Sequence, residues 1–389
     1  MKISFKIIIL IIFIITLNTQ KLIAIEKIKI GLMVPLTGSS QEIGKSIVQA
    51  IRLAVNKIDN PNLEIFPKDT KGDPSETLKA AKELSLEGVK IIIGPVFNKN
   101  LIYLNELKDI YFISLTNKKI KNSKNIISAG INAESQLRAI SKFQKLNNIK
   151  RTFFLIPNLD FKEEIENAIS KSKIEIKYTH IYDTDPTLLT KQIEKITRYP
   201  QRKQNLKNEI KKIESSNDVN KKKKIQNLKK RDTLGGINFD SVIISDFDEN
   251  LKSVATSLLY TDVSPKRVYY ITLNQWFDES LLNEINLQPI YFPSINKENF
   301  EKFINEYRLT FNEYPNEISF LSYDLIGLVY YLIFKNNSVI DEKVFYKKNK
   351  FKGKIGIFEI NKNKINHVLN FYKIEDKKFK KIFWFFWML

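Results

Sequence analysis

Apolar and polar positions switch between two periods along most of the chain. Residues 27–34 are apolar-rich and read as a buried strand that stops at the turn Pro35-Leu36-Thr37-Gly38-Ser39. Ile43, Ile47, Ile51, Ala54 and Ile58 then recur at three- and four-residue steps, which predicts an amphipathic helix. Residues 63–67 give a second strand. Asp73-Pro74 opens a second helix through Ala81 and Leu84, with Asp73 as N-cap and Pro74 at the first helical position, and Gly88 stops it. A third strand, 89–93, ends at Gly94-Pro95 and is followed by Phe97-Asn98-Lys99-Asn100. The rhythm continues with strands at 111–115, 125–130, 152–156, 174–182, 239–245 and 268–272. Helices starting at Glu134, Lys162, Asp248 and Glu298 lie between or after them. Strands alternating with amphipathic helices predict βαβ units and an α/β fold with mostly parallel sheets.

Three segments depart from this rhythm. Residues 318–334 are apolar nearly all round, which predicts a buried helix; with Asp324 inside it, it is a poor membrane span. Residues 353–360 and 367–374 read as antiparallel strands, and the closing IFWFFWML is too short to cross a bilayer and suits a sheet edge or a lobe contact. Residues 198–232 hold 13 Lys or Arg against 4 Asp or Glu, with Ile210, Ile213, Ile225 and Leu228 at helical spacing and a turn at 215–220. This reads as a solvated helical hairpin inserted into a lobe, the second of two. Lys221, Lys222, Lys223 and Lys224 make it a candidate docking arm for an anionic surface or a partner protein.

Composition narrows the possibilities. The chain has 389 residues, enough for two or three domains, and no cysteine, which excludes disulfides, thiolate metal sites, a cysteine nucleophile and a lipidated N-terminal cysteine. Lys2, Lys6, the apolar run 7–17 and Ala24 read as a secretory signal over residues 1–24, because the run is shorter than the ~20 residues a span needs. The expected location is therefore the periplasm, with no transmembrane span in the mature chain. The formal charge of +20 could signal nucleic acid. An exported chain without a stacking-aromatic motif argues against it. The two histidines, His180 and His367, fit neither a metal-ligand nor a triad spacing, and no nucleophile elbow, zinc helix or phosphate loop occurs. Asp69 and Asp73 around Thr70-Lys71-Gly72 read as a polar turn and helix cap. No catalytic residue, metal or cofactor is expected. Parallel sheets place ligands at the carboxyl ends of their strands, which points to Thr37, Ser39, Ser40, Asn98, Asn100, Thr116, Asn117, Asn274 and Trp276 as candidate rim residues.

These residues also carry a resemblance. IKIGLMVPLTGSSQEIGKSIVQAIRLAVNKI and KGDPSETLKAAKELSLEGVKIIIGP resemble the type I periplasmic binding proteins, the Leu/Ile/Val-binding class. The resemblance implies two Rossmann-like lobes joined by a three-strand hinge around a ligand cleft. It implies lobe one at 26–131 plus 294–338 and lobe two at 132–293 plus 339–389. LEIFPKDTKGDP, RDTLGGINFDSVIISD, ITLNQWFDESLL, EISFLSYDLIGLVYYL and FKGKIGIFEI are similar to an alphaproteobacterial branch known as penicillin-binding-protein activators. That implies a non-enzymatic regulator of peptidoglycan synthesis in contact with a cell-wall synthase. The alternative is the substrate-binding protein of an ABC transporter for amino acids or a related solute. The chain departs from amino-acid binders of the class at Ile43 before Gly44, at Phe97 and Asn98 where small hydroxyl residues hold a carboxylate, at the loop 114–118, and at Pro157-Asn158-Leu159-Asp160. A zwitterion buried without hydroxyl partners loses the hydrogen bonds that offset its desolvation.

Overall fold

The computed structural model describes residues 27–118, 120, 123–336 and 343–383. The expected signal (1–24) and the last six residues of the closing aromatic run lie outside the described residues. The chain begins with β1 (Ile28–Val34), α1 (Gln41–Ile58), β2 (Leu63–Asp69), α2 (Pro74–Leu86), β3 (Ile91–Ile93), β4 (Tyr111–Ser114) and β5 (Ile126–Ser128). These five strands form one parallel sheet in the order β2-β1-β3-β4-β5. α1 turns Ile47, Ile51 and Ala54 into the core, as its spacing requires. At α2 the Asp73 carboxylate accepts from the Ser75 and Glu76 N–H groups at 2.8 and 3.0 Å, with Pro74 first in the helix. Satisfying these orphan donors is what starts the helix there.

The second lobe follows with α3 (Ala133–Leu146), β6 (Thr152–Pro157), α4 (Lys162–Ser172), β7 (Tyr178–Tyr182), α5 (Pro186–Ile196), α6 (Tyr199–Glu214), α7 (Lys221–Lys229), β8 (Ser241–Ile244), α8 (Asp248–Tyr260), β9 (Tyr269–Thr272) and β10 (Ile290–Ser294). The chain then returns to lobe one with α9 (Lys297–Phe311) and α10 (Glu317–Lys335), which pack on α1. It ends with α11 (Lys343–Tyr346), β11 (Asn349–Lys352), β12 (Ile357–Ile360), β13 (Ile365–Val368), β14 (Asn370–Glu375) and β15 (Lys378–Phe383). Lobe two's sheet runs β15-β14-β10-β9-β8-β6-β7, with β14 alone reversed and so paired antiparallel to β10 and β15, and β11-β12-β13 form a small antiparallel sheet. α10 is long and apolar enough to cross a membrane, but most of it is buried in lobe one, including Phe320, Leu325 and Leu328 at 0% exposure.

The structure redraws three of the expected strands. Of residues 353–360 only Ile357–Ile360 is strand, as β12, and 353–356 form the loop after β11. Residues 174–177 are not strand, because Gln144 on α3 captures the Glu175 backbone at both ends. Its amide donates to the Glu175 carbonyl at 2.9 Å, and its oxygen accepts from the Glu175 N–H at 3.1 Å. The expected strand 367–374 is divided at Leu369. His367 pairs within β13, and Asn370 onward joins lobe two's sheet as β14. β10, β11 and β15 emerge only in the structure; sequence reading missed α5 although Asp185-Pro186 opens it and Leu189, Ile193 and Ile196 recur at helical spacing.

The small sheet also divides residues 339–389, expected to lie in lobe two as a unit. Phe351 contacts Tyr331 of α10 at 5.8 Å and Phe345 contacts Tyr111 of β4 at 6.1 Å, so 343–352 rest on lobe one, whereas 370–383 extend lobe two's sheet. The chain passes between lobes after β5, after β10 and at Leu369, and the small sheet ties these passages together. The Asn132 amide donates to the Ile365 carbonyl at 3.1 Å, and the Asn296 N–H to the Ile355 carbonyl at 2.9 Å.

Candidate functional site

The carboxyl ends of both parallel sheets face a common cleft of about 1030 Å³. Lobe one's wall starts at Gly94, whose positive φ of 109° leads into a cis bond to Pro95. A Cβ at Gly94 would lie 2.1 Å from the Met33 carbonyl oxygen, so only glycine lets β3 turn this closely against β1. The turn delivers Phe97, Asn98 and Lys99 to the cleft. Ser114 at the end of β4 donates to the Pro95 carbonyl at 2.8 Å and fixes the neighbouring loop, which contributes Thr116, Asn117 and Lys118. A second chamber of about 550 Å³ shares Asn98 and Lys118 with the first and reaches Asp160 and Glu163 of lobe two and Lys364 of the small sheet.

Lobe two's wall comes from the ends of β8 and β9. Asn274 is held from three sides. Its N–H donates to the Gln136 side-chain oxygen at 2.7 Å, and its own side-chain oxygen accepts from the Ser294 hydroxyl at 2.7 Å and the Trp276 N–H at 3.1 Å. Trp276 and Phe277 both carry positive φ, 49° and 62°, which costs bulky residues about 1–3 kcal/mol each. The surrounding packing holds this conformation. Phe277 is buried edge-on to Tyr372 at 5.0 Å and to Phe379 at 5.5 Å, and the result presents Trp276 at the cleft.

One edge of the cleft is acidic. Asp248 and Glu249 open α8, Asp278 follows Phe277, and Glu317 enters from lobe one at the start of α10. Lys252 takes up Glu249 at 2.9 Å, whereas Asp248, Asp278 and Glu317 make no ion pair among the described residues. Crowding by protein atoms, reinforced by the facing Asp278 and Asp248, pushes the Glu317 carboxyl above the ordinary glutamate range.

Of the residues expected at the rim, Asn98, Thr116, Asn117, Asn274 and Trp276 line this cleft. Thr37, Ser39, Ser40 and Asn100 do not. The Thr37 hydroxyl donates to Asp69 at 2.6 Å, and Asp69 also accepts from the Leu36 and Lys71 N–H groups at 2.7 and 2.8 Å, which ties the first loop down. Asn100 is 1% exposed, inside lobe one. Sequence reading missed Gln136, Asp248, Asp278 and Glu317. Asp248 had an available signal, since it opens a helix directly after a strand's carboxyl end, whereas Glu317 arrives from the other lobe and had none. His180 lies on β7 and His367 on β13, in different sheets. Among the described residues no group of three His, Asp or Glu side chains could hold a metal.

Within residues 198–232 the chain forms the helix pair α6 and α7. The Lys221 ammonium caps the Glu214 carbonyl and Lys224 pairs with Asp218, while Lys222 and Lys223 are exposed.

With this geometry in place, comparisons with known proteins define the class. A sequence family described as periplasmic binding protein matches residues 27–207. A branched-chain amino acid ABC transporter periplasmic ligand-binding protein from Burkholderia xenovorans superposes with a TM-score of 0.65 at 11% identity, over 92% of this chain and 94% of that one. The Streptococcus pneumoniae branched-chain amino acid substrate-binding protein in complex with isoleucine gives 0.53 at 16% identity, over 92% and 99%. The C-domain of LpoA from Haemophilus influenzae, a regulator of PBP1A, gives 0.59 at 15% identity, over 91% and 100%. No curated protein sequence matches. At these identities the likeness is one of fold: this protein has the type I periplasmic binding fold.

Proposed function

We propose that this is a non-catalytic periplasmic binding protein whose cleft holds a polar small molecule carrying a cationic group. The observation that supports this is the asymmetry of the walls. Amides and lysines of lobe one face an edge where Asp248, Asp278 and Glu317 stand without ion-pair partners beside the Trp276 ring. A cation at that edge relieves the repulsion among three carboxylates and gains the face of an indole. Capture brings Glu317 of one lobe toward Asp248 and Asp278 of the other, so the ligand itself bridges the closed state.

Two outputs are open to such a protein. The activator-like motifs, together with the likeness to the LpoA C-domain, support regulation of a cell-wall synthase; the likeness to transporter receptors supports delivery to a permease. We favour the regulatory output, because Phe97 and Asn98 occupy the wall where amino-acid binders of the class place carboxylate-holding hydroxyls.

Thermal unfolding against a panel of amino acids, polyamines, amides, peptides and muropeptides tests the capture step. A ligand at 100 times its dissociation constant adds about 2.7 kcal/mol. Cationic members are expected to shift the midpoint in the wild type and far less in Glu317→Gln. A panel that shifts nothing removes the proposal. Pull-down of a synthase against a permease, with the active ligand present, separates the outputs.

A further inference from the structure

Lobe two concentrates its positive charge at the pole remote from the cleft. The carboxyl ends of β6, β8 and β9 lead to Asp160, Phe247 and Asn274 in the cleft chambers, so the amino ends of those strands form the opposite pole. α5 brings the chain back to that pole, and the α6–α7 hairpin leaves from it. Arg202, 4% exposed, fixes the root. Its guanidinium donates to the Thr261 carbonyl at 2.9 Å, the Thr233 hydroxyl at 2.7 Å and the Asp262 carboxylate at 3.3 Å. Thr261 and Asp262 follow α8, which begins in the cleft at Asp248. The root therefore lies a helix length away, about 20 Å at 1.5 Å per residue.

The hairpin is basic without being adhesive in the manner of a protein interface. Residues 198–232 carry 13 Lys or Arg and 4 Asp or Glu. Two of the four carboxylates are engaged within it, Asp218 by Lys224 and Asp232 by the Tyr199 hydroxyl. α7 has no buried residue, and Val219 at the tip is 99% exposed. Lys150, Lys177 and Lys266, just ahead of β6, β7 and β9, extend the charge across the same pole. Residues 200–232 contain no aromatic. Protein interfaces are depleted in Lys and draw their energy from buried Trp, Tyr and Arg in fitted pockets, whereas ten of the hairpin's 13 basic residues are lysine, and Arg151 and Arg267 on the adjoining pole are taken up by Asp240 and Asp262. Mobile lysines spread over a broad face match a planar array of negative headgroups.

We propose that the α6–α7 hairpin and the adjoining pole of lobe two dock on the surface of an anionic lipid bilayer. The protein would lie peripherally, with the cleft at the far end of the lobe free to open and close. The inference is independent of what the cleft holds.

Co-sedimentation of the full-length protein with vesicles tests it, comparing pure phosphatidylcholine with a mixture containing one-third phosphatidylglycerol. Binding to the anionic vesicles is expected to exceed neutral binding by at least about tenfold and to fall steeply with salt. The variant Lys221→Glu/Lys222→Glu/Lys223→Glu/Lys224→Glu should lose roughly tenfold or more on anionic vesicles. Its circular dichroism and melting midpoint should stay close to wild-type values, since Lys222 and Lys223 are exposed and the contacts of Lys221 with the Glu214 carbonyl and of Lys224 with Asp218 are solvent-exposed pairings of the kind that add little stability. Equal binding to both vesicle types, as an apolar N-terminal segment alone would give, overturns the proposal. So does undiminished binding by the folded variant. Retention on immobilised polyglutamate without vesicle binding would assign the hairpin to an acidic protein instead.

Discussion

The carboxylate of Asp324, buried in α10, accepts the backbone N–H of Ile355 at 2.6 Å, joining lobe one to the small sheet at the hinge. The contact depends on the residue two positions earlier. A Cβ at Gly353 would lie 2.2 Å from the same Asp324 oxygen, so the β11–β12 loop approaches the helix only because that position is bare.

Gly353→Ala should therefore destabilise the protein by about 1–3 kcal/mol, the usual cost of overpacking a tight site. Chemical denaturation measures it. Combining Gly353→Ala with Asp324→Asn in a double-mutant cycle should give a loss that differs from the sum of the single losses, because one contact is shared. Strict additivity would show that the two residues do not meet.

Asp324 and His367 should tilt stability in opposite directions with pH. Burial pushes the Asp324 carboxyl up to about 6, although the Ile355 N–H holds it down in part. The folded state then binds the extra proton between about 4 and 6, so this group's contribution falls as pH rises through that window. Burial pushes the His367 ring down to about 4, despite its contact with the Ala129 carbonyl at 2.7 Å. There the unfolded state binds the extra proton between about 4 and 6.5, so stability falls as pH drops. Each effect is about 3 kcal/mol across its full window, and they largely cancel. Relative to wild type, Asp324→Asn should make stability rise more steeply with pH, and His367→Gln should make it fall. Urea midpoints between pH 4 and 7 decide; unchanged slopes in both variants would refute the assignment.

Trp276 is the tryptophan at the cleft among the described residues; Trp384 and Trp387 lie outside them. Trp276→Phe should leave the fold intact and abolish most of the ligand-dependent change in tryptophan emission. It should weaken a cationic ligand by about 1 kcal/mol, roughly fivefold, because a phenyl face attracts cations less than an indole. A titration in which the variant keeps the full emission change would place the ligand elsewhere.

The sequence by itself determined the class of architecture and much of the element order. Periodicity is a local property: Ile43, Ile47, Ile51 and Ala54 make one stripe whatever they later touch, and Asp73-Pro74 caps a helix with its own next turn. The hairpin was legible for the same reason, since its charge and its helical spacing lie within 35 consecutive residues. Only the tertiary structure decided which polar residues share a cleft. Thr37 and Asn98 look alike as loop residues, yet Asp69 from the next strand holds Thr37 aside while Asn98 lines both chambers. Glu317 stands with Asp248 and Asp278 only because α10 returns to lobe one, and residues 174–177 leave the sheet only because Gln144 reaches their backbone. These pairings join groups far apart in the chain, and which of them form depends on how whole elements pack, which no window of neighbouring residues records.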